Sequence, residues 1–127
     1  MTIQPEFPTT RLRRLRYHPA VRQLVAATRI SPAQLILPLF VRAGENIRQE
    51  ISSLPGHCQL SVDQLEKELN EIVELGLGGV ILFGIPAQKD ATGSDAFSDD
   101  GIIQQALREI RRVTPELLVI SDVCFCE

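Results

Sequence analysis

Three unbroken apolar runs constrain the fold more than any other feature: Leu35-Ile36-Leu37-Pro38-Leu39-Phe40-Val41, Gly79-Val80-Ile81-Leu82-Phe83 and Leu117-Leu118-Val119-Ile120. They are too short for typical helices and show no alternation, which predicts strands covered on both faces. Pro38 counts against the first, because proline donates nothing to a ladder and is usually kept to edges or bulges. Two amphipathic stretches separate the runs. Val62, Leu65, Leu69, Ile72, Val73 and Leu75 recur at helical spacing, with acids on the other face and Lys67 placed to pair with Asp63 or Glu71. Ser61-Val62-Asp63-Gln64 fits a capping box before this helix, and Gly76 ends it. The second helix starts at Asp99 or Asp100 and carries Ile102, Ile103, Ala106, Leu107 and Ile110 as its buried stripe. Arg108, Arg111 and Arg112 near its C-terminus suit the helix dipole, and Thr114-Pro115 breaks it.

The order is β-α-β-α-β, the pattern of parallel strands joined by right-handed crossovers. An open doubly wound sheet and a (β/α)8 barrel both begin this way. No glycine-rich phosphate loop follows the first strand, where a dinucleotide-binding fold would carry one. A barrel needs about 250 residues, so a chain of 127 could hold only the first three of its eight βα units. Residues 42–59 are expected to be loop, with Gly44, Asn46 and Pro55-Gly56 as turn residues. Residues 85–99 form a second polar connection, longer than a median βα loop.

Residues 1–30 differ from the rest. The first ten, with Pro5 and Pro8, are expected to be an extended arm. Pro19, Val21, Leu24 and Val25 predict a short helix through about Thr28, and Ser31-Pro32 a further turn. Arg11, Arg13, Arg14, Arg16, Arg22 and Arg29 face only Glu6 as an acid before residue 30. Interleaved Leu12 and Leu15 favour a subunit contact, where arginine forks pair carboxylates and stems pack, over an RNA contact, which would be salt-sensitive and depend on Arg13 and Arg14. The chain is therefore expected to divide into an arm for subunit contact over residues 1–30 and a parallel α/β unit over residues 31–127.

The chain's net charge of −3 gives no global reason to expect nucleic acid. No run approaches the roughly 18 apolar residues of a membrane span, and the N-terminus lacks a signal-peptide core. Three cysteines, an odd count, suggest no disulfide framework and fit a reducing cytoplasm.

Past the third run, polar and apolar residues alternate: Ser121-Asp122-Val123-Cys124-Phe125-Cys126-Glu127. A strand's period of two puts Asp122, Cys124 and Cys126 on one side. Two thiolates at this spacing can share a soft ion, and sulfur favours zinc over magnesium or calcium. A third ligand would come from beyond residue 127, from His57 or Cys58, or from another chain. The competing reading is two buried thiols packing as small apolar groups.

The segment 121–127 closely resembles the start of the zinc-binding segment of the porphobilinogen synthase, or delta-aminolevulinic acid dehydratase, family. The likeness extends to Arg11-Leu12-Arg13-Arg14-Leu15-Arg16, the first apolar run, Leu54-Pro55-Gly56, Phe83-Gly84-Ile85, Thr92-Gly93-Ser94-Asp95-Ala96 and Asp100-Gly101. In this order and spacing the motifs are highly specific. The resemblance implies a (β/α)8 TIM barrel that condenses two 5-aminolevulinate molecules into porphobilinogen with loss of two waters, in haem biosynthesis. It implies zinc held by three cysteines, of which Cys124 and Cys126 match the first two, and Asp122 as a supporting active-site acid. It implies a homo-octamer whose arms wrap neighbouring subunits, with allosteric magnesium in some members. The family's third cysteine and its two Schiff-base lysines fall beyond Glu127. Lys67 and Lys89, the lysines present, match neither. These 127 residues alone are thus expected to be inactive and prone to association through open sheet edges. A non-catalytic zinc-binding or assembly fragment is the alternative.

Overall fold

The computed structural model describes residues 13–123. By contacts the chain divides into two units, Met1–Ile30 and Ser31–Glu127. In the first, the helix α1 spans Pro19–Leu24, with His18 as its cap accepting from the Ala20 N–H at 3.2 Å. It ends four residues short of the expected Thr28. No α1 residue is buried, and so short a helix without packing gains too little from propagation to extend. The extended arm expected over the first ten residues, with Arg11 and Leu12, lies outside the described residues.

The second unit contains β1 (Ile36–Arg42), β2 (Arg48–Glu50), β3 (Cys58–Leu60), α2 (Leu65–Glu74), β4 (Gly79–Ile85), α3 (Ile102–Val113) and β5 (Leu118–Ser121). These strands form one sheet in the order β2-β3-β1-β4-β5. The expected strands β1, β4 and β5 are parallel, with Ile36 opposite Gly79 and Gly79 opposite Leu118. They advance in one direction across the sheet. Right-handed crossovers then place α2 and α3 on the same face, as in a singly wound barrel and unlike a doubly wound sheet. Pro38 lies where β1 has a neighbour on one side only, since β3 pairs with it at Phe40 and Val41. That is a tolerable place for a residue without an N–H.

The core lies between this sheet and its helices. Leu39, Val41, Val80 and Leu82 from the strands meet Leu65, Leu69 and Ile72 of α2 and Ile102, Ala106 and Ile110 of α3. Val73 and Leu75 were expected in the α2 stripe but are exposed. At about 100° per residue they fall roughly 80° to either side of Leu65, on the flanks of the packed face. Gly76, at φ +67°, closes α2 as predicted: the Leu77 N–H reaches the Ile72 carbonyl at 3.2 Å and the Gly76 N–H that of Val73 at 3.0 Å, a Schellman ending.

Three expectations fail locally. Residues 42–59 are not all loop but include the hairpin β2–β3, antiparallel with Gln49 opposite Gln59. Ser61 does not cap α2. It is fully buried, and its Oγ accepts from the Ile47 N–H at 2.8 Å, so the hairpin has taken the hydroxyl the helix was expected to use. Lys67 makes no ion pair among the described residues, where α2 is tied by Arg48–Glu68 at 2.9 Å and Arg112–Glu66 at 2.9 Å instead.

The strands are not covered equally on both faces. Pro38, Phe40, Ile81, Phe83 and Ile120, on the face away from the helices, are half-buried. Phe40 and Phe83 stack there with ring centroids 5.4 Å apart. Inward layers of a barrel are completed by strands from its opposite side, and three barrel strands cannot supply them.

Candidate active site at the strand C-termini

The carboxyl ends of β4 and β5, the connection between β4 and α3, and the first turns of α3 enclose a cavity of about 210 Å³. Its apolar wall is Phe83, Pro86, Ile103 and Leu107, and its polar lining includes Ser94, Asp95, Gln104 and Asp122. Asp122 follows β5 directly. Its N–H still reaches the Leu82 carbonyl at 3.2 Å, so the strand's alternation continues and carries its exposed carboxylate to the side of Phe83. No described side chain neutralises or orients that carboxylate.

The long connection over residues 86–101 is built rather than merely solvated. The Asp90 carboxylate accepts from the Thr92 N–H at 2.9 Å, the Thr92 hydroxyl at 2.8 Å, the Ser94 N–H at 3.1 Å and the Ser94 hydroxyl. The Ser94 hydroxyl first, then that of Thr92, hold Asp90 well below the usual carboxylate range. α3 begins later than expected, at Ile102 with Gly101 as its cap residue. The reason is Asp95, which reaches forward so that its Oδ2 accepts the Ile102 N–H at 3.0 Å, an orphan donor of the first turn. A Cβ at Gly101 would strike the Asp95 carbonyl oxygen. Gln104 donates to the Ala96 carbonyl at 2.9 Å, and Arg108 holds the Asp99 carbonyl at 2.8 Å and the Asp100 carboxylate at 3.0 Å.

Sequence reasoning missed a second polar group at the end of β1. Arg42 alternates with fully buried Val41 and so shares the inner face with Phe40. One of its terminal nitrogens donates to Gln49 Oε1 at 2.7 Å and Gln59 Oε1 at 3.1 Å. Its Nε is enclosed without an acceptor among the described residues, which costs roughly 1–3 kcal/mol. The signal was available: Arg42 falls two residues after Phe40, at the end where parallel sheets place ligands.

Cys124 and Cys126, the predicted metal ligands, lie outside the described residues. Of the other suggested ligands, His57 packs edge-on to Phe40 at 6.5 Å, and Cys58 is half-buried in β3. β1 and β4 separate β3 from β5, three strand spacings or roughly 14 Å, against a zinc–sulfur bond of about 2.3 Å. Neither residue therefore adjoins Asp122. Among the described residues no group of three or more His, Cys, Asp or Glu side chains is gathered for a metal.

Parallel strands advancing one way, helices on one face and a cavity at the strand carboxyl ends define the first arc of a (β/α)8 barrel of the enzyme class that works at that rim. The family model described as delta-aminolevulinic acid dehydratase matches residues 9–127. The chain is 50% identical over 117 residues to the delta-aminolevulinic acid dehydratase of Halalkalibacterium halodurans, covering 92% of this chain and 36% of that protein. It is 49% identical over 118 residues to that of Helicobacter pylori, covering 92% and 36%. The crystal structure of delta-aminolevulinic acid dehydratase (porphobilinogen synthase) from Toxoplasma gondii ME49, in complex with the reaction product porphobilinogen, superposes with a TM-score of 0.84 at 33% identity, over 91% of this chain and 33% of that one. This chain belongs to the delta-aminolevulinic acid dehydratase family, and it spans about a third of the length of these relatives. Their name denotes a lyase.

Proposed function

We propose that these residues supply the first three βα units of a porphobilinogen synthase, which joins two 5-aminolevulinate molecules into porphobilinogen and releases two waters. The observation that carries the reading is Asp122, at the carboxyl end of the third barrel strand beside a cavity, within a chain matched to the family from residue 9 to residue 127. In this reading Asp122 is a supporting acid. An exposed carboxylate at the rim can hold the substrate ammonium or take a proton from it as the ring forms. The structured connection from Asp90 to Gly101 walls that site and keeps its shape.

Cys124 and Cys126 would hold zinc together with a third cysteine beyond residue 127. The donor set fits: two cysteines two residues apart, in the same sequence alternation as Asp122, offer the sulfur donors that favour zinc. Bound there, zinc would supply Lewis acidity toward a substrate carbonyl. The Schiff-base lysines would also come from later in the barrel, since Lys67 is exposed on α2 and Lys89 on the connection after β4. The same family reading supports a cytoplasmic enzyme of haem synthesis, an octamer joined through its arms, and allosteric magnesium.

The test is porphobilinogen formation from 5-aminolevulinate by the full-length protein and by residues 1–127 in parallel. Turnover by the first and none by the second is expected. Turnover by the short piece, or none by the zinc-loaded full-length protein, would overturn the reading.

A further inference from the structure

In a closed barrel the first strand is paired along both edges. Here β4 takes one edge of β1 along its whole length, while β3 occupies the other only at Phe40 and Val41, at the carboxyl end. At that level the hairpin β2–β3, rather than a barrel strand, stands beside β1. The inner face of this junction is polar. Arg42 from β1 bridges Gln49 of β2 and Gln59 of β3, so a single guanidinium spans both strands of the hairpin and the barrel strand behind them. It has no carboxylate partner among the described residues, unlike Arg48, Arg108 and Arg112. Beneath it, His57 packs edge-on against Phe40, whose ring stacks on Phe83 of the cavity wall. A displacement of the hairpin would therefore pass through Phe40 to Phe83.

We propose that Arg42 is a positioning residue: it clamps the β2–β3 hairpin against β1 so that the hairpin forms one wall of the mouth where substrate binds. The inference rests on the reading of the site given above.

The experiment uses the full-length protein and two variants, Arg42→Met and the double variant Gln49→Leu/Gln59→Leu. The double variant removes the clamp's acceptors and leaves its charge. Two readouts are taken. The first is hydrogen exchange at the Ile51 and Ser61 amides, which close the hairpin on the His57 and Ile47 carbonyls. The second is the division of any loss between KM and kcat. Both variants are expected to speed exchange at these amides and to raise KM for 5-aminolevulinate, each by roughly tenfold, with kcat nearly unchanged. A merely structural defect would lower the active fraction, and so kcat, without a rise in KM. Unchanged exchange or unchanged KM in both variants would overturn the proposal. So would a rise in KM confined to Arg42→Met, which would make the charge itself the agent. A wild-type protein with no turnover would instead overturn the reading of the function, and the exchange measurement would still decide the clamp.

Discussion

The two faces of the sheet carry similar residues and have different fates. On the helix side Leu39, Val41, Val80 and Leu82 are buried beneath α2 and α3. On the inner side Phe40, Ile81, Phe83 and Ile120 are only half-buried, and Ile36 and Leu118 are 48% and 55% exposed. Hydrophobicity cannot account for the contrast. Each βα unit brings its own outer cover, the helix that follows the strand, whereas the inner cover is shared by all eight strands of a barrel. The outer core is therefore complete within a short piece, and the inner core is a collective property of the whole.

The largest expected effect lies on the outer side. Leu69→Ala removes a side chain that is 0% exposed and should cost roughly 2–5 kcal/mol by urea titration, in the short piece and the full-length protein alike. Phe40→Ala should separate the two. A partly buried ring, stacked on Phe83, should lose about 2 kcal/mol in residues 1–127, while in the full-length barrel the cost should rise to roughly 3–5 kcal/mol. Equal costs in both proteins would mean that the inner face is not waiting for further strands.

A smaller effect concerns acid. The carboxyl pKa of Asp90 is depressed in the folded state, chiefly by the Ser94 hydroxyl. Its contribution to stability is thus present above the unfolded value of about 3.9 and is lost as pH falls through and below it. Asp90→Asn should lower the melting temperature slightly at neutral pH, where the ionised carboxylate accepts from Ser94 and Thr92, and flatten the acid limb so that the two proteins converge below about pH 4, as read by thermal melts across pH. The smallest effect is expected at Arg112, whose bonds to Glu66 and Glu109 are solvent-exposed. Arg112→Ala should leave the urea midpoint unchanged within error, because exposed pairs are screened and entropically costly.

The same contrast explains what the sequence made legible. The three parallel strands, both helices and the glycine ending α2 follow from patterns that a single segment contains. The hairpin does not. Arg48–Glu50 and Cys58–Leu60 are three-residue strands held by distant partners: Arg42 to Gln49 and Gln59, Arg48 to Glu68, and Ser61 to Ile47. Ser61 shows the competition directly, since a good local cap was overruled by a buried long-range bond. The start of α3 moved for a similar reason, with Asp95 reaching its first turn from seven residues away. At the site, alternation placed Asp122 at the rim; it also put Arg42 beside Phe40, but the bonds of Arg42 to Gln49 and Gln59 lie on the hairpin that the pattern did not show.

The most direct test of the central claim, that the open inner rim at the end of β5 is the catalytic site, is to measure zinc content and porphobilinogen formation together in full-length protein carrying Cys124→Ala and Cys126→Ala. Bound zinc and turnover should both be lost, with the fold retained by circular dichroism. Full turnover with zinc still bound would contradict the claim.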